Sequence, residues 1–234
     1  MSFGRYRMEN VKYRHEYKHC INMSDFIALT GKISHIAAPD EHMKNDHYFI
    51  RSLYFDSPDD KALREKIDGT SIREKFRIRF YDMDDSFIRL EKKSKREGLC
   101  MKQTAPLTRE KTERLIRGDR DFLSEEKEPL LNELYAKMSG GLLRPRLTVD
   151  YKRKAYVFPA GNVRVTFDYD IRSDSAADRF FSPQPAAFPS VGTIIMEVKY
   201  DEFLPQIIAD ITQLEGRQTG SFSKYAAGRL LSGV

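Results

Sequence analysis

The sequence predicts an α+β protein in which the strands form a closed β-barrel and the helices pack against its outside. Several segments alternate charged and apolar residues with a period of two, as strands do when their two faces have different surroundings. Helical patterns lie between these segments and would cover the apolar outside of such a sheet. The charged faces are mainly basic, which is unusual for a solvated sheet face and favours an enclosed interior.

Strands are predicted wherever the alternation is clear. In the segment 74–81 (EKFRIRFY), Phe76, Ile78 and Phe80 share one face, and basic side chains occupy the other. A similar division into an apolar and a charged face is found in the segments 11–18, 87–93, 147–154, 163–169 and 194–200. The segment 48–56 also reads as a strand, but it is more apolar and its pattern does not distinguish its two faces.

Helices are predicted from apolar residues at helical spacing and from capping residues. The first helix is expected to begin at Ser24 as its N-cap and to continue through Ile36. Further helices are predicted over 59–67, 108–117, 124–138, 203–214 and 223–231. The Pro- and Ala-rich stretch 173–192 is predicted to be a long mobile loop.

Length and composition predict one soluble domain that spans residues 1–234. No apolar run approaches the roughly 18 residues that a membrane-spanning helix needs, and the first ten residues lack a signal-peptide core. Cys20 and Cys100 match no disulfide or metal-binding spacing. We therefore expect a cytoplasmic protein with reduced thiols.

Basic charge is concentrated on the predicted strand faces of a chain whose net charge is +5. The basic residues expected on the inward faces are Lys12, Arg14, Lys18, Lys75, Arg77, Arg79, Arg89, Lys93, Lys102, Arg146, Lys152, Arg164 and Lys199. The acidic residues expected beside them are Glu16, Glu91, Asp150, Asp168 and Glu197. Like charges at this density repel one another, so we predict a phosphate-rich ligand that neutralises them. Carboxylates among them would hold Mg²⁺ or Mn²⁺, which prefer oxygen ligands and bridge phosphates.

Several motifs, in order over nearly the whole chain, resemble those of one family. They are RHEYKH at 14–19, IRSLYFDSPDD at 50–60, REKFRIRFY at 73–81, LEKKSK at 90–95, VRVTFDYDIR at 163–172, MEVKYDEFLP at 196–205 and SFSKY at 221–225. Each is weak alone, but together they are specific. The chain resembles the VTC (vacuolar transporter chaperone) polyphosphate polymerase domain, which belongs to the triphosphate tunnel metalloenzyme, or CYTH-like, superfamily.

The resemblance implies a closed antiparallel barrel of eight strands, a tunnel that binds a nucleoside triphosphate. Family members similar to this chain transfer the γ-phosphate of ATP onto a growing polyphosphate chain, which makes ATP and polyphosphate the implied partners. The phosphate-binding positions that it implies are Lys18, Arg77, Arg79, Lys93, Lys102 and Arg164. The metal-binding glutamate of the family corresponds to Glu197. Ser223 and Lys224 correspond to one tunnel mouth, beside a helix N-terminus.

The predicted site combines these positions with the inward faces. The residues expected to act on the transferred phosphoryl group are Arg77, Arg79, Lys93, Arg164 and Glu197. The further substrate-binding residues are expected to be Lys18, Lys75, Arg89, Lys102, Arg146, Lys199, Ser223 and Lys224. The predicted ligands of Mn²⁺ or Mg²⁺ are Glu197, Glu16 and Glu91. Nucleic acid is not expected as a partner, because the charged faces carry almost none of the aromatic residues that stack on bases.

Two positions depart from the family pattern. Ser221 stands where eukaryotic members have a lysine, and Thr148 stands where they have an arginine, although Arg146 is on the same predicted face. Both departures bear more on polymerase activity than on phosphate binding. The sequence leaves open the oligomeric state and whether the product passes to a membrane-protein partner.

Two other functions remain as alternatives to the polymerase. A tunnel triphosphatase typically has E-x-E-x-K on its first strand, where several carboxylates hold the metal that activates water. Here the corresponding residues are Arg14, Glu16 and Lys18, and the arginine favours transfer over hydrolysis. A non-catalytic polyphosphate sensor is favoured by Ser221 and disfavoured by the retained carboxylate of Glu197.

Overall fold

The structure is a computed structural model, and it describes residues 14–43, 45–96, 99–214 and 222–232. Its strands are His15–Ile21 (β1), Ala38–Pro39 (β2), Tyr48–Asp56 (β3), Arg73–Tyr81 (β4), Asp84–Arg96 (β5), Leu99–Leu107 (β6), Arg144–Phe158 (β7), Val163–Asp174 (β8), Phe188–Pro189 (β9) and Ile194–Tyr200 (β10). Its α-helices are Met23–Ser34 (α1), Lys61–Ile67 (α2), Arg109–Ile116 (α3), Pro129–Gly140 (α4), Gln206–Thr212 (α5) and Lys224–Ser232 (α6). Among the described residues, no helix has the length and apolar character needed to cross a membrane.

The strands form one antiparallel sheet that is strongly curved. Its main path runs β1-β10-β8-β7-β3-β4-β5-β6, and the short strands β2 and β9 pair with β7 and β8. Adjacent strands lie about 4.8 Å apart, so a flat sheet would hold β1 and β5 roughly 29 Å from each other. The Glu16 carboxylate on β1 nevertheless lies 3.2 Å from the Lys93 ammonium on β5. The sheet therefore curls until its two ends approach, and one of its faces is concave.

The two ends of this path, β1 and β6, are not joined to each other by hydrogen bonds in the described residues. The structure thus confirms an α+β protein with a large antiparallel sheet, but it does not show a closed barrel. Contact between the ends is made instead by side chains such as those of Glu16 and Lys93.

Helices cover the convex face of the sheet in two places. The helices α3 and α4 bury Leu115, Leu131 and Leu134 against Phe76 and Ile78 of β4. The helices α1 and α5 pack on the other half of the sheet, where the buried residues include Leu29, Ile33, Phe167, Met196, Val198 and Ile208. Because the apolar faces of the strands lie under helices, their charged faces point to the concave side.

The C-terminal helix α6 packs differently, at one end of the concave face. Tyr225 is buried in a cluster with Tyr54 and Leu147 of the sheet. Gly228 lies so close to Leu147 that an added Cβ would come within 2.7 Å of its Cδ2 atom. This close packing brings the start of the helix, including Lys224, onto the concave face.

The first helix starts earlier than predicted. Its N-cap is Asn22, not Ser24, and the Asn22 side chain accepts a hydrogen bond from the backbone of Asp25 at 2.8 Å. The carboxylate of Asp25 accepts from the Asn22 backbone in return, which completes a capping box. The helix predicted over 108–117 is present as α3, and its N-cap is Thr108, whose hydroxyl accepts a hydrogen bond from the Lys111 backbone.

The helix predicted over 124–138 is two elements in the structure. A 3₁₀ turn covers Asp121–Glu125, and α4 begins only at Pro129. Proline has no N–H and a fixed φ, so it fits the first turn of a helix and not its interior. The proline therefore sets the start of α4.

The stretch 173–192, which was predicted to be a mobile loop, is held against the convex face. It contains the 3₁₀ turn Ala177–Phe181 and the strand β9, which pairs with β8. Arg51 donates hydrogen bonds to three carbonyl groups of this stretch, those of Phe180, Ser182 and Gln184. The prediction is wrong because the composition of the stretch does not reveal the buried arginine beneath it.

The faces predicted for β7 are reversed in the structure. Tyr151, not Asp150, lies on the concave face, where its hydroxyl accepts a hydrogen bond from Arg79. Asp150 lies on the convex face and pairs with Arg51 at 2.7 Å. Both faces of the strand are buried here, and the pairing with β8 shifts between Asp150 and Lys152, so alternation could not assign the faces.

Candidate functional site

The concave face of the sheet carries a dense set of basic side chains, which we call the basic face. Its members are Lys18, Lys75, Arg77, Arg79, Arg89, Lys93, Lys102, Arg153, Arg164 and Lys199. They come from β1, β4, β5, β6, β7, β8 and β10, and Lys224 of α6 joins them from one end. The residues expected to act on the phosphoryl group are thus brought together on one surface. Lys12 and Ser221 lie outside the described residues.

Three arginines of the basic face are held by hydroxyl groups of the neighbouring strands. Arg77 donates to the Tyr54 hydroxyl at 3.1 Å. Arg79 donates to Ser52 Oγ at 3.0 Å and to the Tyr151 hydroxyl at 2.8 Å. Arg164 donates to the Tyr48 hydroxyl at 2.9 Å. The hydroxyl groups orient these guanidinium groups. Two of the arginines also pair with a carboxylate, Arg77 with Glu91 and Arg164 with Asp40 at 3.0 Å.

The central arginines share one carboxylate, that of Glu91. Arg77 donates to Glu91 Oε2 at 2.7 Å through Nε, and Lys102 lies 2.6 Å from Oε1. Arg79 is farther away, at 3.8 Å. Burial raises the pKa of Glu91, but Arg77, Arg79 and Lys102 outweigh it and lower the pKa far below its usual range. Glu91, which was predicted as a metal ligand, is therefore ionised and pairs with these cations in the structure.

A second group of charges joins β1 and β10 and includes two carboxylates, those of Glu16 and Glu197. Lys18 lies 2.6 Å from Glu16 and 3.0 Å from Glu197, and Lys199 lies 3.2 Å from Glu197. Lys93 reaches Glu16 from β5 at 3.2 Å. Burial and Glu197 raise the pKa of Glu16, but the three lysines together lower it. Burial also raises the pKa of Glu197, but Lys199 and Lys18 outweigh it and lower that pKa well below its usual range. Both carboxylates are therefore ionised.

Three lysines of the site have lowered pKa values. Burial lowers the pKa of Lys75 to about 8, with contributions from the like charges of Lys66 and Arg73. Burial also lowers the pKa of Lys199 and of Lys224, although nearby carboxylates partly compensate. A buried ammonium with too few anions around it gains the most from a bound polyanion.

Arg153 belongs to the basic face but was not predicted as a site residue. It forms a two-pronged ion pair with Asp168, at 2.5 and 2.7 Å, and Lys224 pairs with the same carboxylate. The ammonium of Lys224 also lies over the ring of Tyr151, 4.5 Å from its centroid. Asp168 is fully ionised, because the two cations overcome its burial and lower its pKa to about 2. Arg153 was missed because the prediction put Tyr151, and with it every second residue of this strand, on the outward face.

Two basic residues that were predicted to face inward on β7 lie elsewhere. Arg146 pairs with Asp60 at 3.2 Å, next to Arg229, so it belongs to the contact between α2 and α6. Lys152 pairs with Asp170 at 3.0 Å and is absent from the basic face. The arginine of this strand that lies on the basic face is Arg153.

The remaining predicted residues occupy the two ends of the basic face. At the α6 end, Ser223 Oγ lies 3.2 Å from the Lys75 ammonium. Near the other end, the Arg89 guanidinium lies 4.4 Å from the centroid of the Phe87 ring. In the middle, two buried polar atoms, Arg164 Nε and Thr166 Oγ1, have no hydrogen-bond partner among the described residues. Such atoms are normally satisfied by protein, by water or by a ligand.

The fit of a divalent metal depends on Glu16 and Glu197. Within the described residues, no three His, Cys, Asp or Glu side chains are grouped so that they could hold a metal ion. Mg²⁺, however, commonly binds through one or two carboxylates together with substrate phosphates. Two carboxylates beside a strongly basic surface fit an ion that is shared with a phosphate ligand.

The family model of the VTC domain matches residues 13–232, so the chain belongs to the VTC domain family. A search of curated proteins finds no match. Among solved structures, the PH1819 protein from Pyrococcus horikoshii OT3 matches with a TM-score of 0.50 and 13% identity, over 95% of this chain and 100% of that one. This is a likeness of fold.

A more distant likeness is found to the Mimivirus capping enzyme triphosphatase. It matches at a TM-score of 0.42 and 14% identity, over 88% of each chain. This value is too low to support a functional argument, so function has to be argued from the site.

Proposed function

We propose that this protein is a polyphosphate polymerase that transfers the γ-phosphate of ATP onto a polyphosphate chain held on the basic face. The observation that carries the proposal is an excess of cations over carboxylates on one concave surface. Lys75, Lys199 and Lys224 have lowered pKa values there, and the buried Arg164 Nε has no partner among the described residues. A phosphate chain would supply the missing acceptors and negative charge.

The reaction needs positioning and charge neutralisation more than covalent chemistry. Arg77, Arg79, Lys93 and Arg164 would bind the oxygens of the triphosphate, where charge develops during transfer. The bond between the γ-phosphorus and the bridging oxygen breaks, ADP leaves, and a terminal oxygen of the chain forms the new anhydride bond. That oxygen is already ionised, so no general base is required.

Glu16 and Glu197 would hold Mn²⁺ or Mg²⁺ together with the phosphates. A bound divalent ion supplies positive charge to the phosphoryl oxygens. Lys18, Lys93 and Lys199 now pair with these two carboxylates, and they would turn to phosphate oxygens when the ion is present. In this proposal the curved sheet acts as a tunnel, and the Glu16–Lys93 contact between β1 and β5 supports that shape.

The geometry supports transfer over hydrolysis. Activation of water by a tunnel triphosphatase would use a further carboxylate on the first strand. The residue at that place is Arg14, whose guanidinium lies 2.8 Å from Asp201. An arginine engaged with its own carboxylate cannot serve as a metal ligand.

Product identity after incubation with ATP and Mn²⁺ tests the proposal. We expect long polyphosphate chains on a gel, and we expect them to be absent with the Arg79→Met variant prepared in the same host. That variant controls for contaminating enzymes. Free orthophosphate as the sole product would establish the triphosphatase, and tight phosphate binding without turnover would establish the sensor.

A further inference from the structure

The pairing of β4 with β5 places like charges directly opposite each other along the basic face. The like-charged pairs in this register are Arg79 and Arg89, Lys75 and Lys93, and Arg73 and Lys95. Arg77 differs, because Glu91 lies opposite it. Like charges at directly opposed positions destabilise a sheet. A polyanion that lies along both strands would offset this repulsion at every pair.

The pair at one end, Arg73 and Lys95, lies beyond the residues assigned to the reacting triphosphate. Successive residues of a strand rise by about 3.3 Å, so Arg73 lies roughly 13 Å along β4 from Arg77 and 20 Å from Arg79. The Arg73 guanidinium donates to the Thr70 carbonyl at 2.8 Å, which fixes it where the chain enters β4. Its charge is not needed to hold three phosphates at Arg77 and Arg79.

The helix α2 adds a third cation at this end, Lys66. Burial lowers the pKa of Lys66, and the like charges of Arg73, Lys18 and Lys95 lower it further. The last helical turn of α2 therefore faces a region that is already positive. Lys18, whose charge acts on Lys66, pairs with Glu16 and Glu197, so this region adjoins the charged group of β1 and β10.

We propose that Lys66, Arg73 and Lys95 form a separate subsite for the part of an inorganic polyphosphate chain that extends beyond the reacting end. This inference rests on the proposed function. A linear polyanion fits because Arg73 and Lys95 continue the cationic face of β4 and β5 in the same direction. The subsite distinguishes a long chain from a triphosphate and keeps the chain bound between additions.

The test compares the affinity of the protein for long-chain polyphosphate and for tripolyphosphate by calorimetric titration at low salt. The variant is the triple substitution Lys66→Met, Arg73→Gln and Lys95→Met. The matched control removes three exposed cations elsewhere, with Lys32→Met, Arg117→Gln and Lys127→Met. We expect the subsite variant to weaken long-chain binding about tenfold, with tripolyphosphate unchanged. The control should change neither.

Three results would overturn the subsite. In the first, the subsite variant loses affinity equally for long-chain polyphosphate and for tripolyphosphate. In the second, it loses affinity for neither ligand. In the third, the control variant loses as much affinity for long-chain polyphosphate as the subsite variant does. The same titrations are repeated with single-stranded DNA. If the subsite variant loses affinity for DNA as much as for long-chain polyphosphate, the three residues form an unselective cationic surface and the subsite is overturned. If the unsubstituted protein binds no tripolyphosphate at all, the proposed function fails first, and that outcome is distinct from failure of the subsite alone. Thermal melting shows whether the triple variant is folded. If it is not, Lys95→Met alone is titrated in its place.

Discussion

Two buried arginines on opposite faces of the sheet, Arg51 and Arg79, differ in how completely they are hydrogen-bonded. On the convex face, Arg51 uses all its donors, with two bonds to Asp150 and three to carbonyl groups of the stretch above it. On the concave face, Arg79 donates to two hydroxyl groups, and the Glu91 carboxylate lies 3.8 Å from it. The first arrangement is complete within the protein, and the second is completed by a ligand in our account.

This difference separates structural from ligand-binding cations better than charge or burial does. Arg51 is 1% exposed and Arg79 is 5% exposed, so burial alone would place them together. Their sequence contexts are also similar, since each lies in a strand beside apolar residues. The number of anionic and carbonyl partners is what distinguishes them.

The largest expected effect is on stability, from Arg51→Met. The substitution would leave Asp150 buried and uncompensated and would release the stretch over β3, so we expect the free energy of unfolding to fall by about 3–5 kcal/mol. Urea denaturation measures this loss. A change below about 1 kcal/mol would show that the pair is not structural.

The matched substitution on the concave face, Arg79→Met, should affect binding more than stability. Charged hydrogen bonds to phosphate contribute roughly 1.5–3 kcal/mol each, so the affinity for tripolyphosphate should fall at least tenfold. The free energy of unfolding should change less than with Arg51→Met, because Arg79 lies near the like charges of Arg77 and Arg89. If the two variants lost equal stability, Arg51 and Arg79 could not be distinguished as a structural and a ligand-binding arginine.

A smaller and more selective effect is expected from Glu197→Gln. The amide keeps the shape of the side chain but removes the charge that would bind the metal, so Mn²⁺ should no longer strengthen tripolyphosphate binding. Without metal, affinity should be maintained or increased, since Lys18 and Lys199 lose a competing anion. Titrations with and without Mn²⁺ measure both. Retained metal enhancement would exclude Glu197 as the ligand.

The smallest expected effect is a pH dependence of phosphate binding due to Lys75. Its pKa is about 8 in the free protein, and a bound polyanion should raise it. The contribution to affinity is then complete below pH 8 and declines as the pH rises from 8 toward the pKa of the bound state, with a severalfold loss by pH 9. Lys75→Met should bind more weakly at pH 7 and lose this decline. An identical pH profile in the variant would assign the effect to another group.

The sequence predicted the strands whose two faces have opposite character. In β4, β5, β8 and β10, one face contacts helices or core and the other carries charges, so alternation assigned Arg77, Lys93, Arg164 and Glu197 to one surface. It failed for β7, where both faces are buried and the register shifts after Asp150. As a result, Arg146 was predicted to face inward, whereas Arg153 is the arginine of β7 that lies on the basic face.

Partners across the sheet could not be predicted from the sequence. The alternation placed Glu91 among the cations, but only the register shows that it lies opposite Arg77 and reaches Lys102. Likewise, the composition of the stretch 173–192 indicated a loop, and its fixation depends on Arg51 more than a hundred residues earlier in the chain. In both examples the partner is distant in the sequence, so only the three-dimensional structure identifies it.

Calorimetric titration with tripolyphosphate at low salt and neutral pH tests the central claim, that the basic face is completed by a phosphate chain. We predict saturable binding at one site per chain, which weakens steeply with added salt and is lost most strongly in Arg79→Met. Binding should also raise the melting temperature. If the protein shows no heat of binding and no thermal shift with tripolyphosphate in excess, the basic face is not a phosphate site and the account is wrong.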